Sequence, residues 1–284
     1  MAIRRIKQII ASHPSADGDG VKIQRVHGFN DAQFSPFLMI DELKSESPDD
    51  YIGGFPPHPH RGIETLTYML SGHFQHQDHM GNTGELRDGG AQWMSAGRGV
   101  IHSEMPVMTE GNLHGFQIWI NLPAAKKMQP AQYHDFQSDV ITEKALADNS
   151  LIRVIAGDLT IKGETLIGPL QQTGVPTTIA NWQAGKGAHF SSCLNPDFQA
   201  IIYVYQGAIE IEGTTAKAGE LAILDHGEGL AIDAVSEQTG ILLLSGIPIH
   251  EPVVHYGPFV MNSMDEIEQA ISDYQQGKLV TPES

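Results

Sequence analysis

Two stretches, Tyr68-Met-Leu-Ser-Gly72 and Tyr203-Val-Tyr-Gln-Gly207, decide how the chain is read. Each is the end of an apolar run stopped by a glycine. The residues downstream repeat as well: Gly89-x-x-x-Trp93-Met94-x-x-Gly97 is echoed by Gly219-x-x-x-Ile223-Leu224-x-x-Gly227. Self-similarity at a separation of about 130 residues marks a duplicated unit. Further runs lie at Thr65–Leu70, Phe116–Leu122, Leu151–Ala156, Ala200–Tyr205, Leu221–Leu224 and Ile241–Leu244. They are rich in Ile, Val, Tyr and Thr, and turn residues break the chain roughly every 8–12 positions, the rhythm of an all-β sandwich or barrel. A length of 284 residues suits two such domains. The polar stretch Lys126–Asp139 holds the join, giving domains at 1–133 and 134–284. One helix is marked near the end. Ser263 caps it, Glu266 completes a capping box, Ile267, Ala270, Ile271 and Tyr274 share a face, and Gly277 stops it.

Composition narrows the function. Thirty-four acids against 17 bases give a net charge of −17, which repels phosphate backbones and disfavours direct nucleic-acid binding. No stretch nears 18 apolar residues, so no membrane span is expected. The basic opening lacks the apolar run of a signal peptide, and a cytoplasmic location is expected. The single cysteine, Cys193, excludes an internal disulfide and thiolate-built metal sites. Histidine stands out: there are 14, most of them between His58 and His134. Histidine is the commonest metal ligand.

The chemistry concentrates in Gly53-Gly-Phe-Pro-Pro-His58-Pro-His60 and Ser95-Ala-Gly97-Arg-Gly99-Val-Ile-His102-Ser-Glu104. Side chains two apart on a strand point the same way, so each pair can aim at one cation. Two neighbouring strands bearing these pairs would supply three nitrogens and one oxygen. Glu64 competes, because it shares strand parity with His58 and His60. With five candidates for four places, Glu104 is taken as the ligand and Glu64 as a supporting residue. Imidazole with carboxylate suits Fe(II), Mn(II), Ni(II), Cu(II) or Zn(II). The second half keeps no such set. Anchored on Gly72 and Gly207, His58 and His60 correspond to Cys193 and Asn195; anchored on Gly97 and Gly227, His102 and Glu104 correspond to Ile232 and Ala234. Cys193 is expected as a buried, inert thiol. Asp17-Gly-Asp-Gly20 reads as a turn, His73, His76 and His79 around Asp78 as a solvated hairpin loop, and Arg98 as a salt-bridge or orienting residue.

These residues resemble the cupin superfamily. Its first motif, G(x)5HxH(x)3,4E(x)6G, is matched by Gly53, His58, His60, Glu64 and Gly72 with slips of one residue at the glycines. Its second, G(x)5PxG(x)2H, is looser: Gly97 precedes His102 by five, and Ser95 stands at the usual proline. Within the cupins the chain resembles the pirin family. His58-Pro-His-Arg-Gly62, Gln92-Trp-Met-Ser-Ala-Gly-Arg-Gly99, His102-Ser-Glu-Met-Pro106, Gln117-Ile-Trp-Ile-Asn-Leu-Pro123 and Gly257-Pro-Phe-Val-Met-Asn262 carry that resemblance, which spans about residues 3–280. It implies a bicupin, two antiparallel β-barrels of jelly-roll type face to face with a short C-terminal helix. It implies one divalent transition metal in the first barrel, on His58, His60, His102 and Glu104. Fe(II) is the first expectation, with Ni, Mn, Cu, Co or Zn as alternatives. The activity implied is that of a quercetin 2,3-dioxygenase, cleaving a flavonol with O2 and releasing CO, with Glu104 as base. The alternative is a non-enzymatic iron-binding redox sensor that modulates a protein partner. A third reading is an oxygen-independent cupin isomerase. A monomer is expected.

Overall fold

The computed structural model describes residues 2–29, 31–108 and 110–280. Each of the six apolar runs is a strand. Thr65–Leu70 lies in Ile63–Ser71, Phe116–Leu122 overlaps Leu113–Asn121, and Leu151–Ala156 is a strand from end to end. The other three fall in Gln199–Gln206, Glu220–Leu224 and Thr239–Gly246. β-Branched and aromatic residues fit the pleated, half-buried surface of a sheet, which is why these runs pair.

By its contacts the chain forms two compact units. The first, here the N-terminal unit, contains Pro14–Ala32, Pro36–Ser138 and the described chain from Ile249 onward. The C-terminal unit contains the described chain up to His13, Gln33–Ser35 and Asp139–Pro248. A single cut at 133 therefore does not describe the grouping, because each terminal segment packs with the other half of the sequence.

The two units have one topology. The N-terminal unit has a seven-stranded sheet in the order Gln132–Phe136, Ala91–Ser95, Ile63–Ser71, Leu113–Asn121, Phe37–Ser45, Val21–His27, His13–Asp17. The C-terminal unit has Ile6–Ala11, Glu220–Leu224, Gln199–Gln206, Thr239–Gly246, Thr177–Ala184, Leu151–Ala156, Thr142–Ala145. The strands that end before Gly72 and Gly207 take the same place in each, so the repeat seen in the sequence is a repeat of the fold. A second sheet completes each unit. It runs Phe55–His60, Val100–Pro106, Phe74–Asp78, Thr83–Leu86 in the first. In the second it runs Glu164–Ile167, Asp158–Ile161, His189–Cys193, Gly229–Ala234, Ala208–Ile211, Thr214–Lys217. Among the described residues the hydrogen-bond ladders leave two main sheets per unit rather than one closed ring, the jelly-roll form of the expected barrel, and the N-terminal unit adds the two-stranded sheet Val254–Tyr256, Phe259–Met261.

The interiors differ. The C-terminal unit is filled by one apolar cluster including Ile152, Trp182, Phe190, Ile202, Ile232 and Leu243. In the N-terminal unit the apolar side chains separate. Val100 belongs to a cluster with Leu38, Ile63 and Met94, whereas Phe74, which pairs with Pro106, belongs to one with Met69, Leu86 and Leu113. Between Val100 and Pro106 the strand carries His102 and Glu104, both buried.

The ladder also corrects the position of Cys193. With Ile232 as the counterpart of His102 through the Gly97 and Gly227 anchor, it sets Phe190 opposite Ile232 as it sets His58 opposite His102. The residue standing where His58 stands is thus Phe190, and Ser192 stands where His60 does. The glycine anchor misses this because the hairpins between the anchors differ in length. Cys193 is exposed, not buried.

The helix is Met264–Gln275. Ser263 Oγ accepts from the Glu266 amide at 3.3 Å, and the Glu266 carboxylate accepts from the Asn262 amide at 2.9 Å. Ile267 and Ala270 are buried against Phe259, Met261 and Leu279. Asp273 receives Arg61 Nη1 at 2.8 Å, which docks the helix beside the His-Pro-His strand. Lys127, at the end of the short helix Ala124–Lys127, is buried; its Nζ donates to Gly62 O, Asn121 Oδ1 and Val260 O at 2.7–2.9 Å. No described helix is long and apolar enough to cross a membrane.

Candidate metal centre

His58 and His60 lie on Phe55–His60, and His102 and Glu104 on the adjacent antiparallel strand Val100–Pro106. His102 is directly opposite His58, and Val100 opposite His60. The two-residue alternation of both strands turns all three imidazoles inward. Their ring centroids are 4.4 Å (His58–His102), 4.9 Å (His58–His60) and 5.1 Å (His60–His102) apart. One nitrogen of each ring lies within 4.8 Å of the others.

Hydrogen bonds sort the ring nitrogens. His58 Nδ1 is 2.8 Å from Pro56 O, and His60 Nδ1 is 3.3 Å from Pro258 O. A carbonyl oxygen only accepts, so both Nδ1 atoms carry the proton and both Nε2 atoms present lone pairs. His102 Nε2 is buried with no hydrogen-bond partner. Leaving such an atom unsatisfied costs about 1–3 kcal/mol, a cost that a bound cation would remove. Burial, then the neighbouring His58, lowers the His60 pKa to about 3. Burial, then His60, His58 and His76, pushes His102 well below the ordinary histidine range. Both rings are therefore neutral at physiological pH, the form that binds metal. Three imidazoles beside a carboxylate fit a divalent transition ion.

A register shift lies just beyond His102, so that Glu104 pairs with Phe55. Glu104 stands beside the triad but outside the set of atoms mutually within 4.8 Å. Its Oε1 is 3.1 Å from the Thr67 hydroxyl, and Gln117 Nε2 donates to its two oxygens at 3.4 and 3.2 Å. Glu64 goes elsewhere. The strand parity that would align it with His60 is interrupted at Gly62, whose φ is +82°. A Cβ there would fall 2.0 Å from Val260 O, so only glycine allows the chain to pass. Within Ile63–Ser71 Thr67 faces Glu104, and alternation puts Glu64 on the opposite face of the sheet.

The structure adds two residues to the site. The expected loop around His73, His76 and His79 is instead a strand over Phe74–Asp78, paired with Val100–Pro106. His76 is 2% exposed and the Asp78 side chain 0%. His76 Nδ1 is 3.4 Å from His102 Nδ1, and His76 Nε2 is 3.3 Å from Asp78 Oδ2. The signal available was the alternation His76-x-Asp78, masked by polar residues on both faces of the strand. Arg98 does not line the site; its carbonyl accepts from Arg61 Nε.

His58, His60 and Glu104 form part of the lining of a cavity of about 720 Å³. Its walls are aromatic and apolar. Trp119 sets its ring edge-on to His60 at 5.2 Å and edge-on to Phe29 at 6.1 Å, and Phe29 stacks on His255 at 4.1 Å. Met39, Leu43 and Phe55 continue the lining. A polar side is built by Arg25, which grips Asp41 through Nε at 2.7 Å and Nη2 at 2.6 Å, and Asp17 at 2.5 Å. The hydrogen bond to Asp41 outweighs burial and raises the Arg25 pKa, so the guanidinium stays charged. Exposed Asp17, Asp19 and His255 are also part of the lining, so the cavity opens to solvent.

A duplicated jelly roll with a His-x-His strand beside a His-x-Glu strand in one half is a cupin, and this one is a bicupin with its histidine cluster in the N-terminal unit. The chain belongs to the pirin family: the model described as Pirin matches residues 20–120, and that described as Pirin C-terminal cupin domain matches residues 179–280. A Vibrio cholerae protein provisionally named quercetin 2,3-dioxygenase is 59% identical over 278 residues, covering 98% of each chain. Human pirin is 34% identical, covering 97% of this chain and 93% of its own. The crystal structure of a quercetin 2,3-dioxygenase from Acinetobacter baumannii superposes with a TM-score of 0.90 at 31% identity, covering 98% of this chain and 99% of that one.

Proposed function

We propose that the chain is a metal-dependent dioxygenase that opens the central ring of a flavonol such as quercetin with O2 and releases CO. The observation that carries this reading is the convergence of three inward-facing imidazoles, one with an unsatisfied buried Nε2, beside an open aromatic-walled cavity. His58, His60, His102 and Glu104 would hold one divalent transition ion, Fe(II) first, with Ni, Mn, Cu, Co and Zn compatible with the same donors. When bound, that ion supplies Lewis acidity, making a ligated hydroxyl more acidic and holding its anion near O2.

The residues of the chain do the rest. Glu104 takes the proton of the flavonol 3-hydroxyl; Thr67 and Gln117 fix the direction in which its carboxylate points. Trp119, Phe29 and Phe55 give flat rings apolar faces to lie against. Asp17 and Asp41, at the polar side, accept hydrogen bonds from ring hydroxyls. Across the reaction both atoms of O2 enter the product and the carbon that bore the 3-hydroxyl leaves as CO. The names of the Vibrio and Acinetobacter relatives support this assignment. An open cavity favours it over a redox sensor, which needs no room for a substrate.

The test is protein reconstituted without air with Fe(II), and in parallel with Ni, Mn, Cu, Co or Zn, then mixed with quercetin and oxygen. Loss of quercetin with release of CO is expected. No CO above that of His58→Ala protein, with any of these metals, would sink the assignment. Turnover that does not depend on O2 would point to an isomerase-type cupin instead.

A further inference from the structure

We propose that His76 and Asp78 are positioning residues that hold His102 with its Nε2 lone pair facing the metal position. The proposal rests on the reading of His102 as a ligand, and it concerns two residues outside that ligand set.

A chain of hydrogen bonds runs inward from Asp78. Its Oδ1 accepts from the Met80 and Asn82 amides at 2.9 and 3.0 Å, and its Oδ2 from Asn82 Nδ2 at 2.8 Å. With these three N–H groups aimed at it, the buried carboxyl is the acceptor-only carboxylate. The fourth contact, from His76 Nε2 at 3.3 Å, must therefore bring its own hydrogen. With its proton on Nε2, His76 presents the lone pair of Nδ1 to its neighbour. That lone pair meets His102 Nδ1 at 3.4 Å, so His102 Nδ1 is the donor and His102 Nε2 is left bare.

The result matches the other two ligands. His58 and His60 reach the same tautomer through backbone carbonyls; His102 reaches it through a histidine backed by a carboxylate. The His76 ring is held in place by Tyr133, which stacks on it at 4.2 Å and 14°. Partners of this kind behind a ligating histidine typically change metal affinity by about 10–100-fold when removed.

The first measurement uses the metal-free wild-type protein. Long-range 1H–15N spectra of histidine-labelled protein at pH 8 should show His102 protonated on Nδ1 and His76 on Nε2. His102 protonated on Nε2 would overturn the proposal, whatever metal the protein takes. The second uses Ni(II) as the probe. His76→Phe keeps the ring and its stacking on Tyr133 but removes the acceptor, and Ni(II) affinity should fall about 10–100-fold. His76→Asn restores an acceptor near the place of Nδ1 and should recover affinity to within about threefold. Wild-type affinity in His76→Phe, or an equal loss in His76→Asn, would reduce His76 to packing and overturn the proposal. If His76→Phe does not fold, the spectra decide. Wild-type protein that binds no Ni(II) and no other divalent ion would defeat the metal reading, while the spectra would still decide the tautomers.

Discussion

Glu104 and Glu64 are both buried carboxylates within one unit, and a short stretch of strand geometry separates their roles. Glu104 sits on the face that carries His102, with Thr67 and Gln117 on its oxygens. Glu64 sits on a strand that restarts after the positive-φ turn at Gly62. Bound metal per chain, measured after exhaustive dialysis, should fall in Glu104→Gln and stay at the wild-type level in Glu64→Gln. The reverse result would exchange their assignments. With metal restored, Glu104→Gln should also slow turnover by about 10²–10⁴-fold, the usual contribution of a general base. The convergence of His58, His60 and His102 was legible because a spacing of two on a strand is a directional statement in the sequence itself. His76 and Asp78 were not, because in Phe74-Gln-His-Gln-Asp78 only Phe74 marks the inner face as apolar, and the other inner positions are as polar as the outer ones. Periodicity detects a strand only when its two faces differ in hydropathy.

At the scale of elements, the helix Met264–Gln275 supports the centre without touching it. Arg61 is the neighbour of His60 in the chain, is buried, and binds Asp273 in the last turns of the helix. Burial raises the Asp273 pKa, but the hydrogen bond from Arg61 and its charge outweigh this, and the net shift is downward. A carboxylate with a depressed folded pKa contributes fully above its unfolded value near 3.9 and loses that contribution as pH falls through the folded value. Asp273→Asn should therefore melt several degrees below wild type at pH 7, from about 1.5–3 kcal/mol for a hydrogen bond to a charged group, and the gap should close towards pH 3. An equal gap at both pH values would show that the ion pair contributes nothing. The helix was legible down to its capping residues, because a cap, a box and a face of Ile267 and Ala270 are local patterns. The grouping of this helix with the N-terminal unit was not, because it depends on Arg61, Lys127 and Gly62 meeting residues more than a hundred positions away.

For the whole molecule, duplication has kept the ladder and discarded the chemistry in one copy. Phe190, Ser192, Ile232 and Ala234 take the places of His58, His60, His102 and Glu104, and all but Ser192 join a closed apolar core. Natively purified protein should carry about one metal ion per chain by elemental analysis; a ratio near two would contradict this. Phe190→Ala should destabilise the protein by about 3–5 kcal/mol, the usual loss for a fully buried phenylalanine, without lowering that ratio. The duplication itself could be read from the repeated Tyr-x-x-x-Gly and Gly-x-x-x-apolar-apolar signatures. The correspondence at the site itself could not, since hairpins of unequal length moved the anchor and made Cys193 stand in for Phe190.

The crossing of the chain termini also sets an order in time. The carbonyl that fixes His60 belongs to Pro258, and Val260 closes over Gly62 and Lys127. These residues leave the ribosome only after the whole C-terminal unit has been made. The nascent first cupin must wait, with His60 lacking its acceptor, until Pro258 has been added. On the proposed metal reading, uptake of the ion follows synthesis of these residues: in cell-free synthesis, labelled metal should be found on chains that include Pro258 and not on ribosome-held chains stopped before it.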